Sequence, residues 1–69
     1  MENQLQPHQQ RVVAEKTELD EKLSKLNAFM DGEQFRIICD SDECDRLVKQ
    51  RHAMERYSNI LGERISAFS

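Results

Sequence analysis

Apolar residues recurring at intervals of seven, in two separate runs, restrict this chain more than any other feature. Val12, Leu19 and Leu26 form one column, and Leu23 and Met30 form a second that begins with the alkyl stem of Lys16. Together they make one apolar seam at 3-4 spacing. Leu47, Met54, Leu61 and Phe68 fall at sevens again, flanked by Val48, Tyr57, Ile60 and Ile65. Such a repeat keeps a column of side chains on one face of an α-helix but scatters it over both faces of a strand. The chain therefore reads as two amphipathic helices.

Their ends can be placed from local chemistry. Pro7 is tolerated in a first helical turn and not in an interior, which predicts a frayed polar start over residues 1–8 and a helix over about 8–31. Gly32 follows Met30 and Asp31, where a left-handed glycine closes many helices. Asp40, with Glu43 three residues on, is a variant of the capping box, and Asp42 and Asp45 add negative charge where the helix dipole favours it. A second helix is expected over about 41–67. Between them, residues 32–40 form a connector whose segment Glu33–Cys39 is either a single helical turn or a short extended piece. Phe35, Ile37 and Ile38 are expected to plug the end of the bundle.

Two helices joined by a short connector pack most simply as an antiparallel hairpin, so the fold class is all-α, with one domain over residues 1–69. Such a chain is thin. A length of 69 residues buries only about 60% of the surface that the unfolded chain exposes, and this sequence is 38% hydrophobic and 6% aromatic. A lone hairpin leaves one side of each seam wet, which predicts a homo-oligomer, a four-helix bundle or larger. The side chains expected in the core and oligomer seam are Val12, Leu19, Leu23, Leu26, Met30, Leu47, Met54, Leu61, Ile65 and Phe68.

The formal net charge of −3 gives the whole molecule no electrostatic reason to seek nucleic acid or an anionic membrane. No stretch approaches the roughly 18 apolar residues of a membrane span, and the start MENQLQPHQQ lacks the pattern of a signal peptide. A cytosolic protein is expected. Cys39 and Cys44 would then be reduced thiols.

The ladder Arg11-Val12-Val13-Ala14-Glu15-Lys16, continuing through Glu18-Leu19-Asp20-Glu21-Lys22-Leu23 to Leu26, Ala28 and Phe29, resembles a family of small phage proteins named after a protein of a crAss-like bacteriophage. The second half is similar as well, at Leu47, Gln50, Ala53-Met54, Tyr57-Ser58, Ile60-Leu61 and Arg64-Ile65, so the likeness covers about residues 11–68. The stretch Arg36 to Cys44 departs from it, being more apolar and bearing both cysteines. The resemblance implies a phage or prophage origin and action in the host cytosol. Small phage proteins of this size resemble, as a class, host-takeover and anti-defence factors, which mostly bind and block.

Constellations for chemistry are sparse. Cys39, Cys44 and His52 offer three soft ligands where a structural zinc site wants four, and the remaining histidine, His8, lies far off. Neither histidine sits in a pattern that would activate a nucleophile, and Gly32 and Gly62 form no phosphate loop. The acids Glu15, Glu18, Glu21, Glu55 and Glu63 lie on solvated helix faces. The sequence predicts a protein that is not an enzyme and holds no cofactor or metal.

Charge is distributed unevenly. Residues 46–69 hold Arg46, Lys49, Arg51, Arg56 and Arg64 against Glu55 and Glu63, whereas residues 1–33 carry four bases against seven acids. Either the two helices pair their opposite charges and so set register, which is the ordinary outcome, or assembly gathers Arg51, Arg56 and Arg64 around Tyr57 into a pocket for a phosphate-bearing ligand. Gly62 either admits a close neighbour or is merely tolerated in a fraying turn. Three functions follow: a phage factor that binds a host protein, which leads; an oligomeric sponge that sequesters a cyclic nucleotide immune signal; and a weak nucleic-acid binder.

Overall fold

The computed structural model describes residues 5–68. The frayed start expected over residues 1–8 lies outside the described residues at positions 1–4. The described chain is all-helical, with three helices: α1 over Pro7–Asp31, α2 over Glu33–Ile38 and α3 over Ser41–Ser66. α1 lies against α3, and α2 packs on α1, giving a body of 53 × 16 × 14 Å.

α1 and α3 start where local chemistry favours a helix end. Pro7 opens α1 with a residue whose missing N–H would have no partner there, and the Gln9 side chain accepts from the Gln6 backbone N–H at 2.8 Å. At α3, the Asp40 carboxylate accepts from the Glu43 N–H at 2.8 Å, and Asp42 and Glu43 occupy the first turn. That is the cap anticipated at Asp40. Beyond Ser66 the backbone turns once more, with the Ala67 N–H directed to the carbonyls of Glu63 and Arg64.

The connector takes the helical one of its two expected forms, extended beyond a single turn. It contains a six-residue helix, so the described residues form three helices where the sequence suggested two long ones. Gly32 is not left-handed: its φ is −87° and ψ 166°. The reason is positional, because Gly32 closes α1 and opens α2 in the same residue, and an N-cap takes extended backbone angles. The Gly32 N–H still donates to the Phe29 carbonyl at 3.1 Å, satisfying one carbonyl of the last α1 turn.

Phe35 is half-buried and stands edge-on to Phe29, with ring centroids 5.8 Å apart and planes at 82°. Ile37 and Ile38 do not plug the end; they are 77% and 65% exposed. A single short helix can turn one side inward. Phe35 occupies that side, and Ile37, two residues on, falls about 200° around the helix.

The water-shielded positions follow the sevens. In α1 they include Val12, Lys16, Leu19, Leu23, Leu26 and Met30; in α3 they include Leu47, Arg51, Met54, Ser58, Leu61 and Ile65, with Phe68 half-buried just beyond. Among the described residues only Val12 (7% exposed) and Leu61 (1%) are fully buried apolar side chains. The core is as thin as the length predicts.

Candidate binding face

Three polar side chains meet in the middle of the α1–α3 contact. Lys16 donates to the Ser58 hydroxyl at 2.7 Å and to Asp20 at 2.9 Å, and the Ser58 hydroxyl donates to the Asp20 carboxylate. Ser58 is 6% exposed and is the buried polar residue of the described chain. The hydrogen bond from Ser58, followed by that from Lys16, holds the Asp20 carboxyl below its ordinary value of 3.8, outweighing desolvation. Sequence reasoning missed this cluster. The available signal was that the α3 ladder places Arg51 and Ser58 at seam positions between leucine and methionine.

The bases of α3 do not converge as a group. Arg51 is half-buried on the stripe shared with Leu47, Met54 and Leu61, whereas Arg56, Tyr57 and Arg64 are exposed. At about 100° per residue, Tyr57 and Arg64 lie about 20° apart on one outer face, with Arg56 about 100° to one side and Arg51 about 120° to the other. Gln50, Ala53 and Ile60 share the outer face with Tyr57 and Arg64, and all are exposed.

Within one chain, the described α3 bases do not take the pairing with α1 that is ordinary for such charges. Among the described residues the ion pairs are Lys16–Asp20 at 2.9 Å within α1 and Arg46–Glu43 at 2.8 Å within α3. Among the described residues, no base of α3 pairs with an acid of α1. Arg56 and Arg64 thus stand in solvent without an acidic partner among the described residues. Guanidinium forks and a phenol ring are the kinds of group that suit a phosphate and a nucleobase.

Cys39 and Cys44 are free thiols at the α2–α3 junction, with the Cys44 thiol directed to the Cys39 carbonyl at 3.7 Å. Burial, and next the neighbouring Cys44, push the Cys39 thiol up. Among the described residues, no group of three or more His, Cys, Asp or Glu side chains is arranged to hold a metal. No described helix is long and apolar enough to cross a membrane. An open cleft of about 520 Å³ lies at the α1–α2 corner, between Met30, Asp31, Gly32, Glu33, Arg36 and Ile37.

No curated protein and no solved structure matches the chain. A family model does, over residues 6–67, which takes in α1, α2 and α3. By that match the chain belongs to the Sequestin family.

Proposed function

We propose that this chain is a non-catalytic sequestering protein: an antiparallel hairpin of α1 and α3 that self-associates and withdraws a small phosphate-bearing ligand from solution. The observation that carries this reading is the placement of Tyr57 and Arg64 on one exposed face, flanked by Arg56, with no acid paired to either base among the described residues. The family name, Sequestin, fits a sequestering role. The ligand is a cyclic nucleotide signal of host immunity, and the protein is a phage-derived anti-defence factor of the host cytosol. The likeness to small phage proteins over about residues 11–68 supports that origin.

A ligand that binds the folded state alone stabilises it by RT ln(1 + [L]/Kd), about 2.7 kcal/mol at a hundredfold excess over Kd. Cyclic and linear nucleotides, screened by thermal shift, should therefore raise the melting temperature, and Arg64→Ala should abolish the shift. Failure of every nucleotide to shift the melt overturns this reading. Antagonism of a host protein is the second reading, favoured by the exposed Ile37 and Ile38 beside the cleft. It predicts no nucleotide shift and loss of partner capture in Ile37→Glu.

A further inference from the structure

The side chains that repeat at sevens are buried or half-buried between α1 and α3, which leaves the outer helix faces for self-association. α3 carries one. Gln50, Ala53, Tyr57, Ile60 and Arg64 follow one another at 3-4 spacing on its outer face, a second seam beside the one that includes Met54 and Leu61. All five are exposed, with Tyr57 at 43% and Ile60 at 48%. An apolar centre with polar ends, running straight along one helix, has the form of a helix–helix contact.

From this we infer that the outer seam of α3 is the interface with a second copy of the chain, formed by two α3 helices running antiparallel about a twofold axis near Tyr57 and Ile60. This rests on the self-association proposed above and names its surface. Charge decides the occupant and the direction. One flank of the seam is Lys49, Arg56 and Glu63, each seven residues from the next. Parallel copies would put this flank on opposite sides of the contact and leave its charges without a partner. Antiparallel copies bring the basic start of one flank to the acidic end of the other, so that Arg56 and Lys49 approach Glu63 of the second copy. Ile60 then meets the edge of Tyr57 across the axis, and Ala53 leaves room for the stem of Arg64, so that the Tyr57 ring face and the Arg64 guanidinium stay at the rim, where the ligand proposed above binds. The need for a second copy comes from the thin core, in which two apolar side chains among the described residues are fully buried.

Two measurements on the full chain test this. Light scattering should give the wild-type protein a mass at least twice the 8.1 kDa of one chain, and Ile60→Asp should halve it, with helix content followed by circular dichroism. In a Cys39→Ser, Cys44→Ser background, Ile60→Cys should cross-link with a short bismaleimide and Ala53→Cys should not, because in the antiparallel arrangement only residues near the axis meet their own copies. Linking at both positions would show parallel helices, and linking at neither, or an unchanged mass in Ile60→Asp, would show another interface; each overturns the inference. The cross-links keep the test decisive where Ile60→Asp unfolds. A nucleotide shift in a protein whose mass ignores Ile60→Asp would reject this interface and leave sequestration standing. The reverse pair of results would reject sequestration and leave the interface.

Discussion

Lys16 and Ser58 are 42 positions apart in sequence and meet at 2.7 Å, where a lysine ammonium donates to a hydroxyl that in turn donates to Asp20. This relay ties the first half of α1 to the second half of α3. Its hydroxyl is buried, whereas the side chains of Lys16 and Asp20 are 30% and 46% exposed. Removing the hydroxyl therefore strands neither charge, since each can turn to water and the i,i+4 pair survives. Ser58→Ala should lower stability by about 1–2 kcal/mol, the range for hydrogen bonds to charged groups. Urea denaturation followed by circular dichroism should show a reduced midpoint at unchanged slope.

The same relay sets an acid limb. Asp20 has its folded-state carboxyl held below the ordinary 3.8 by Ser58 first and Lys16 second. A depressed carboxyl contributes stability that is present above the ordinary value and is lost as pH falls through the folded-state value. The wild-type melt should thus exceed that of Asp20→Asn at neutral pH, and the gap should close on acidification below about pH 4. Melts across that range check it; a gap that stays constant would place the Asp20 contribution in packing.

How much of this was legible in sequence depended on whether a residue's role was local. Pro7, Asp40 and the leucine columns announce helices because capping and periodicity act within a few residues, and the observed bounds Pro7–Asp31 and Ser41–Ser66 lie within a residue of the expected ones. Gly32 was misread because its conformation depends on α2 starting at once, and a six-residue segment has too few turns to show a period. Ser58 was passed over because its value comes from Lys16 and Asp20, partners that only the packing of α1 on α3 supplies. That Arg51 is half-buried while Arg56 and Arg64 are exposed was hidden for the same reason: sequence gives the charges, but which face is covered is a tertiary fact.

The Cys39 thiol offers a local readout of the α2–α3 junction. Burial, then the adjacent Cys44, raises it, and the thiolate is the form that reacts. In a Cys44→Ser variant, where burial still acts, Cys39 should be alkylated by a maleimide at neutral pH more slowly than free cysteine. Mass spectrometry over a time course measures the rate, and a rate equal to that of free cysteine would mean that the junction opens readily.

Gly62 settles a choice that the sequence left open. A Cβ built on it would meet the Lys16 Cε at 3.5 Å, an ordinary van der Waals contact with a flexible stem, and no glycine of the described chain has a positive φ. The position therefore has room for one methyl group and helical backbone angles. Alanine there should stabilise the protein by about 0.5–1 kcal/mol, through reduced freedom of the unfolded chain and better helix propensity. A larger side chain has a different effect. Gly62→Leu must displace the Lys16 stem and with it the hydrogen bond to Ser58, so it should destabilise the wild-type protein more than the Ser58→Ala variant, where that bond is already gone. Denaturation of the four proteins in this cycle measures the coupling, and independence of the two substitutions would mean that Lys16 reaches Ser58 by another path around the larger residue.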